Sequence, residues 1–397
     1  MSLKSTAYRA ALKTYTHIGA RFTPRRMPYM PGMPVRVEGF HGEILGIGET
    51  ARQFARAMMQ AGHDTRPWSI DPRLRPAGPA TADRTETALR VSHLNPDQLL
   101  EFSMRIASAG ERRMPHAGYW VWELGRAPKH WRRAAGLVDA VWTPSRFSAD
   151  AITQILPEGR VAEVLPPPIF ASGPAEAPPG LPGQAEAVRV LALCDLRSSA
   201  ARKNPLGALA AFETASASAS RPAHLVLKVT GSAQCPGEMA RLAARIGDRP
   251  DVTLLVKDLT DAQMLGLIEA CPIALSLHRS EGFGLLAAHA AYRGKAVIAT
   301  NWSAPTEFLT AEGAGLVNYR LVPVEDAQGI YPDGQSWAEP DIDHAADWLV
   351  RLIDKPELRS RMGEIARRHA DARLGPAAWQ ACLASRLDGL ARAHRDL

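Results

Sequence analysis

Short apolar runs alternate with polar or helix-forming segments along most of this chain of 397 residues. In the N-terminal half, apolar segments fall at residues 35–40, 90–93, 119–122 and 140–142, and a helical pattern at 49–61 follows the first of them. A second series has apolar segments at 188–193, 224–229, 252–256 and 273–277, with helical patterns at 205–215 and 261–270. Strands that alternate with helices predict parallel sheets, so we predict two doubly wound α/β domains.

Proline, glycine, alanine and serine are concentrated at residues 166–186, which is the composition of a linker. The chain is also longer than a domain with a single hydrophobic core usually is. Residues 341–397 are nearly all helical in pattern, with one break at 374–376. We therefore predict, in order, a basic extension at 1–34, an α/β domain at 35–170, a linker at 171–186, a second α/β domain at 187–374 and a terminal helix at 375–397.

The composition is that of a soluble globular protein, with 46% hydrophobic and 22% charged residues. The four cysteines lie far apart without metal-ligand spacing. No run approaches the ~18 apolar residues that a membrane span needs, and the N-terminus lacks the apolar core of a secretory signal. These features predict a cytoplasmic protein.

Positive charge is concentrated at the N-terminus of a chain whose formal net charge is +6. Seven Lys or Arg residues precede the first acid, Glu38, and residues 6–22 place apolar residues at near-helical spacing among basic ones. Two interpretations stay open. The segment is either a peripheral helix on the anionic inner face of the plasma membrane or a solvated extension packed on its own domain.

The first loop with candidate chemistry is the glycine-rich segment at 42–50. Gly46 and Gly48 free the backbone just before the predicted helix, where N–H groups can bind an anion. The third glycine of a dinucleotide fingerprint is missing, which disfavours a nicotinamide cofactor. A tight turn that binds nothing explains the two glycines equally well.

Two further loops follow predicted strands of the second half. One carries Arg197, Arg202 and Lys203, and guanidinium and ammonium groups both bind phosphate oxygens, although a solvated charged loop is the alternative. The other is SEGFGLLAAH at 280–289, where Glu281 leads into two glycines at a predicted helix start. A simple helix cap would need the acid but neither glycine, so we predict a binding site there.

These loops resemble motifs of the retaining glycosyltransferase family 4, which has the GT-B fold. SEGFGLLAAHAAYRGKAVIAT resembles the donor-site motif of that family, and DLRSSAARKNPLGAL resembles its phosphate-binding segment. GEILGIGETAR resembles the glycine loop of its N-terminal domain, and VDAVWTPSRFSADAI the strand and helix late in that domain. GYWVWEL, VNYRLVP and WAEPDIDHAA resemble bacterial members that assemble surface polysaccharide, including lipopolysaccharide.

The resemblance implies two Rossmann-like domains, at 35–170 and 187–374, facing a cleft, with the acceptor on the N-terminal side and the donor on the C-terminal side. It also implies that the terminal helix at 375–397 crosses back to the N-terminal domain. It implies a metal-independent hexosyltransferase, without a cofactor, that moves a sugar with retention from a nucleotide diphosphate sugar to a glycan or lipid-linked saccharide. A UDP- or GDP-sugar is then a substrate, and no nucleic acid is expected as a partner.

The family pattern also implies roles for individual residues. Glu281 would be a catalytic residue and hold hydroxyls of the donor sugar, together with the amides of Gly282, Phe283 and Gly284. The contacts implied for the donor diphosphate come from Arg197, Lys203, Arg202, Gly46, Gly48, Gly284 and Leu285.

Two positions depart from the pattern. His289 stands where the family has a second Glu, the ribose-binding residue. Neutral imidazole offers one acceptor and one donor, so His289 is predicted to hold the ribose more weakly or to be structural. A position that often carries histidine in the N-terminal domain falls on Trp122 or Glu123, and we rank Glu123, as a second catalytic candidate, above Trp120 and Trp122.

His93, Asn95 and His116 lie near predicted strand ends of the first domain and are weaker candidates. Two rival functions stay open. One is a non-catalytic GT-B subunit that binds nucleotide or glycan within a glycosyltransferase complex, which the histidine at 289 favours. The other is a GT-B sugar phosphorylase.

Overall fold

The computed structural model describes residues 27–77, 87–106, 114–178, 181 and 186–393, so the predicted interfacial helix at 6–22 lies outside the described residues. The chain divides into two compact units. The first comprises Met1–Trp122, Arg126–Ala171 and Pro376–Leu397, and the second comprises Glu123–Gly125 and Ser172–Gly375. This division assigns residues 172–186 to the second unit. The domain boundaries predicted from the sequence stay predictions.

The first unit contains, among its described residues, a sheet of six parallel strands. The strands are β1 (Val35–Gly39), β2 (Thr65–Ser69), β3 (Leu89–Ser92), β4 (His116–Tyr119), β5 (Ala140–Thr143) and β6 (Ala162–Val164). The helices are α1 (Gly46–Gln60), α2 (Pro96–Ile106) and α3 (Arg146–Thr153), with short 3-10 segments at Lys129–Leu137 and Ile169–Ala171. Across the sheet the strands are ordered β2-β1-β3-β4-β5-β6.

The second unit contains, in its described part, another sheet of six parallel strands and a two-stranded antiparallel hairpin. The sheet strands are β7 (Val188–Asp195), β8 (Ala223–Thr230), β9 (Val252–Leu255), β10 (Ile273–Ser276), β11 (Ala296–Thr300) and β12 (Ala314–Val317), and the hairpin strands are β13 (Tyr319–Pro323) and β14 (Ser336–Pro340). The helices are α4 (Ala200–Lys203), α5 (Pro205–Ser218), α6 (Pro236–Ile246), α7 (Asp261–Ala270), α8 (Leu285–Tyr292), α9 (Ile342–Asp354) and α10 (Pro356–Leu374), with 3-10 segments at Leu196–Ser198 and Ala304–Glu307. The sheet order is β12-β11-β10-β7-β8-β9.

The predicted α/β class with two parallel sheets is confirmed. In the second sheet, the central strands β7, β8 and β10 are rich in apolar side chains because helices cover both faces of a parallel sheet. Helix α7 occupies the predicted range, and a capping box between Thr260 and Gln263 explains where it begins. None of the described helices is both long enough and apolar enough to cross a membrane.

Three local predictions were wrong. The strand predicted at 119–122 is β4, which ends at Tyr119, so Trp120 and Trp122 follow the strand instead of forming it. Helix α1 begins at Gly46, three residues earlier than predicted, and includes both glycines of the predicted loop. The segment between β7 and α5 was predicted as a loop but contains a 3-10 turn and the one-turn helix α4.

The last helix, α11 (Pro376–Ala393), belongs to the first unit. Its buried Trp379 packs against Phe54 and Phe170, with ring centroids 5.7 and 5.8 Å away. The indole Nε1 donates to the Pro166 carbonyl at 3.1 Å. The side chain of Trp379 thereby packs α11 against α1 and against residues 166–170.

We expect Trp379→Ala to lower the free energy of unfolding of the first unit by about 3–5 kcal/mol, because it removes a fully buried aromatic side chain. Urea denaturation followed by circular dichroism measures this change. Gln380→Ala, at an exposed position on the same helix, is the matched control and should change stability by less than about 0.5 kcal/mol. Equal effects of the two substitutions would contradict this account of the packing.

Candidate functional site

The candidate site lies where the chain leaves two adjacent strands of the second unit. Strands β7 and β10 are paired in parallel, so their carboxyl ends open onto the same edge of the sheet. The segment Asp195–Lys203, called here the cationic segment, begins at the last residue of β7, and Leu277–Gly284 follows β10. The Arg279 N–H donates to the Arg202 carbonyl at 2.8 Å, which joins the two segments directly.

Glu281 is the centre of this site. Its side chain is buried, with 7% of the residue exposed. Lys203 Nζ lies 2.5 Å from Glu281 Oε1, and Arg202 Nη1 lies 3.1 Å from Oε2. Burial alone would raise the pKa of this carboxyl, but the charges of Lys203 and Arg202 override it and lower the pKa to about 2. The structure therefore brings together two of the predicted phosphate cations and the predicted catalytic acid.

The backbone after Glu281 has a conformation that only glycine adopts easily. Gly284 has φ 91°, and a Cβ at this position would lie 2.8 Å from Pro305 Cγ. Phe283 is buried, with its ring 5.3 Å from that of Phe308. Within the described part of the chain, the N–H groups of Phe283 and Gly284 make no hydrogen bond. Because they precede α8, they offer donors and a positive helix end to an anion.

Arg202 is buried much more deeply than its predicted role as a phosphate contact requires, with a side chain only 2% exposed. Its guanidinium donates to the Ser280 carbonyl at 2.8 Å and the Ser198 carbonyl at 3.2 Å, in addition to its ion pair with Glu281. The guanidinium carbon also lies 5.7 Å from the centre of the Tyr331 ring. These contacts make Arg202 a structural partner of Glu281.

Arg197 and Lys203 are more accessible, with side chains 26% and 23% exposed. Arg197 forms a two-pronged ion pair with Asp195, at 2.9 Å from Nε to Oδ1 and 3.0 Å from Nη2 to Oδ2. The same carboxylate accepts from the Arg197 backbone N–H at 3.0 Å. Asp195 therefore orients the guanidinium of Arg197 and offsets part of its charge.

Glu123 belongs to the second unit, although the sequence around it continues from a strand of the first. Ser280 Oγ donates to the Glu123 carbonyl, and the Glu123 carboxylate lies 3.9 Å from Arg202 Nη2. Burial raises the pKa of this carboxyl, and the nearby Arg202 charge only partly opposes the rise. The two predicted catalytic carboxyls, those of Glu281 and Glu123, thus both lie near Arg202, but the pKa is lowered for Glu281 and raised for Glu123.

His289 is a buried residue on α8, 3% exposed, among the small side chains of that helix. Leu285, at the first turn of α8, is half-buried. The structure places both on the helix that starts beside Glu281. Ribose binding by His289 and phosphate binding by Leu285 stay predictions.

The remaining predicted residues lie in the first unit. Gly48 is buried in the first turn of α1, where a Cβ would lie 2.5 Å from the Phe40 carbonyl oxygen, so close packing of the helix explains this glycine. Gly46, also in that turn, is exposed, and diphosphate binding by either glycine stays a prediction. Trp120 and Trp122 are buried against Trp131, with ring centroids 6.3 and 5.1 Å away. Both tryptophans are therefore part of the hydrophobic core.

The three weaker candidates also have partners inside the first unit. The His93 ring stacks on Tyr119 at 4.5 Å, and burial lowers its pKa to about 3. Asn95 Oδ1 accepts from the Val121 N–H at 2.8 Å. His116 Nε2 lies 2.7 Å from Ser92 Oγ, in a buried network around Glu38. Each side chain has a structural contact that accounts for its position.

Four residues at the site were not predicted from sequence. Ser303 Oγ accepts from the Glu281 N–H at 2.9 Å and so holds the backbone that carries the acid. Asp326, Gln328 and Tyr331 reach the cationic segment from the loop between β13 and β14. No local motif marks these four positions, because their partners lie far away in sequence. Among the described residues, no cluster of three or more His, Cys, Asp or Glu side chains is placed to hold a metal ion, and metal independence stays a prediction.

Comparison with solved structures identifies the fold. HepE from Anabaena, in complex with UDP and glucose, matches with a TM-score of 0.61 and 14% identity over 90% of this chain and 100% of that chain. Sucrose-phosphate synthase from Thermosynechococcus elongatus matches with a TM-score of 0.59 and 14% identity over 92% and 98% of the two chains. TarM from S. aureus, in complex with fondaparinux, alpha-GlcNAc-glycerol and UDP, matches with a TM-score of 0.54 and 13% identity over 76% and 55%.

These likenesses establish the GT-B fold for this chain, as predicted. At identities of 13–14%, they establish the fold but neither the family nor the reaction. No family model matches the sequence. No curated protein matches it either.

We expect the ion pairs of Glu281 to make stability depend on pH in the acid range. The folded-state pKa of about 2 lies below the ordinary value of 4.5, so the stabilisation is present above about pH 4.5 and is lost as pH falls towards 2. The full difference corresponds to about 3 kcal/mol. Glu281→Gln should therefore be less stable at pH 7 and lose less stability between pH 5 and 2.5 than the unsubstituted protein.

Urea denaturation across that pH range measures the difference in slope. Glu312→Gln, which changes a carboxyl at an exposed position of the second unit, is a suitable control because its slope should equal that of the unsubstituted protein. Parallel curves for Glu281→Gln and the unsubstituted protein would contradict the assignment of a strongly depressed pKa to Glu281.

Proposed function

We propose that this protein is a glycosyltransferase that moves a sugar from a nucleotide diphosphate sugar to a glycan or lipid-linked saccharide, with retention at the anomeric carbon. The observation that carries the proposal is the buried Glu281 carboxylate, held ionised by Lys203 and Arg202 beside the start of α8. The GT-B fold and the UDP complexes of HepE and TarM support a nucleotide-linked donor. The family 4 motifs support retention.

The departing diphosphate would be stabilised by charge. Lys203 and Arg197 are exposed enough to reach its oxygens, and the N–H groups of Phe283 and Gly284 lie just before the start of α8. Preorganised donors of this kind lower the barrier because they need no rearrangement as charge develops. Arg202 is too buried for direct contact, so in this proposal it holds Glu281 in place.

The donor sugar would be held by Glu281. Each carboxylate oxygen offers two acceptor sites, so an ion pair with one cation leaves capacity for a sugar hydroxyl. A protonated carboxyl there would lose acceptor capacity, and the low pKa prevents this at neutral pH. Glu123, whose pKa is raised by burial, is a group that can exchange a proton near the same cations.

The acceptor is proposed from the family resemblance as a growing surface glycan or its lipid-linked form in a bacterial polysaccharide pathway. The basic N-terminal segment would then assist contact with an anionic membrane surface from the cytoplasmic side. Two alternatives are retained. A sugar phosphorylase would use Lys203 and Arg197 for inorganic phosphate, and a non-catalytic subunit would bind nucleotide without transfer.

The first experiment is a thermal-shift panel with UDP, GDP, ADP and inorganic phosphate. We expect one nucleoside diphosphate to raise the melting temperature, because a ligand at 100 times its Kd adds about 2.7 kcal/mol. Lys203→Ala and Glu281→Ala should abolish sugar transfer, a loss of at least about 100-fold, while circular dichroism shows an unchanged fold. Lys355→Ala, at an exposed lysine outside the site, is the matched control.

Full transfer activity in Lys203→Ala and Glu281→Ala would remove this site from the reaction. Stabilisation by phosphate alone would favour a phosphorylase. Nucleotide binding without transfer to any saccharide acceptor would favour the non-catalytic subunit.

His289 is tested by a second substitution. If the side chain faces the ribose, His289→Glu should keep or tighten nucleotide affinity, because a carboxylate accepts from two ribose hydroxyls. Isothermal titration with the nucleotide chosen from the panel measures the Kd. A large loss of stability without a change in Kd would assign His289 to the core of the second unit.

A further inference from the structure

The loop at residues 324–335, between β13 and β14, contacts the cationic segment, and we call it the hairpin loop. It belongs to none of the sequence elements assigned to donor binding. The strands at its base are joined to the site, because Arg279 pairs with Glu339 of β14 at 2.6 Å from Nε to Oε2. The hairpin loop is therefore held both by its own contacts with the cationic segment and by the ion pair at the strand that follows it.

Two side chains of the hairpin loop hold the turn of the cationic segment. Ser199 Oγ donates to Asp326 Oδ1 at 2.9 Å. Gln328 uses both ends of its amide, since Oε1 accepts from the Ala200 N–H at 2.6 Å and Nε2 donates to the Leu196 carbonyl at 2.7 Å. Ser199 has φ 70°, which is sparsely populated for a residue with a side chain. These three hydrogen bonds stabilise a turn that its own residues do not favour.

A third side chain of the hairpin loop, that of Tyr331, contacts both Arg202 and Glu123. Its ring is buried, 5% exposed, and lies against the guanidinium of Arg202. Its hydroxyl forms a hydrogen bond with the Glu123 carboxylate. Tyr331 thus contacts both the cation that holds Glu281 and the second candidate acid.

The hairpin loop is also ordered by its own hydrogen bonds. Asp326 Oδ2 accepts from the Ile330 N–H at 2.8 Å and the Tyr331 N–H at 3.1 Å. One carboxylate therefore positions Tyr331 and, through its other oxygen, Ser199. A displacement of the loop would change both contacts together.

We propose that the hairpin loop is a positioning element of the donor site, in which Asp326 and Gln328 set the shape of the cationic segment and Tyr331 fixes Arg202 and Glu123. The inference rests on the proposed function, because it assigns positioning residues to that same site. None of the three side chains needs to touch the donor. Their effect passes through Ser199, Ala200, Arg202 and Glu123.

The test that needs no substrate is hydrogen exchange in the ligand-free protein. Gln328→Ala removes the acceptor of the Ala200 N–H, so we expect exchange in residues 196–203 to be about fivefold or more faster. Asp333→Asn, at an exposed position of the same loop, is the matched control and should leave exchange unchanged. Unchanged exchange in Gln328→Ala would overturn the inference whether or not the protein transfers sugar.

The second readout is the pH dependence of kcat/KM in Tyr331→Phe. Glu123 faces Arg202, Lys203, Glu281 and Tyr331, and the Tyr331 hydroxyl lowers its pKa against the effect of burial. Removal of the hydroxyl should move the limb of the profile that reports Glu123 to higher pH. Gln328→Ala should instead weaken binding of the nucleoside diphosphate about fivefold.

These outcomes separate the two ideas. Absence of transfer with every nucleotide sugar in the unsubstituted protein would contradict the proposed function, and the exchange data would still decide the role of the hairpin loop. An unshifted profile in an active Tyr331→Phe protein would contradict the positioning of Glu123 by Tyr331.

Discussion

The site depends on one buried ionic contact, that of Glu281 with Lys203 and Arg202. A carboxylate removed from water stays ionised only when cations compensate for the lost hydration. Both cations come from the cationic segment, and Lys203 precedes Glu281 by 78 residues. The contact therefore requires β7 and β10 to be neighbours, and the sheet order provides this. Further bonds strengthen the junction, including that from Asn204 Nδ2 to the Leu277 carbonyl at 3.0 Å.

The three cations of the segment after β7 differ in role because they differ in burial. Arg202 is buried and donates to the Ser198 and Ser280 carbonyls, so its charge stabilises groups within the protein. Arg197 and Lys203 are more accessible, with side chains 26% and 23% exposed, and they pair with Asp195 and Glu281. A sequence pattern of basic residues cannot distinguish these roles, because it carries no information on which side chain is directed into the core.

The fold was largely predictable because its signals are local. Apolar runs marked the central strands β7, β8 and β10, and the helical pattern at 261–270 marked α7. The short polar strand β2 has no such run and was missed. The glycines of α1 were interpreted either as a ligand loop or as a tight turn, and the close contact of Gly48 with the Phe40 carbonyl oxygen is a packing reason that the sequence does not show. Asp326, Gln328 and Ser303 could not be predicted, because each acts on a partner at least 22 residues away.

The charges of the site also imply coupling between anion binding and protonation. Arg197, Arg202 and Lys203 face Asp195, Glu281 and Glu123, so the site is close to neutral when every group is ionised. Glu281 is held ionised by its two cations, and Glu123 is the carboxyl whose pKa is already raised. An arriving diphosphate would disfavour a further negative charge nearby, and Glu123 is the group that can respond by binding a proton. The contrast follows from the contacts, because Glu281 pairs with both Lys203 and Arg202, at 2.5 and 3.1 Å, whereas Glu123 lies 3.9 Å from Arg202. Under the proposed function, Glu123 would therefore exchange a proton while Glu281 stays ionised.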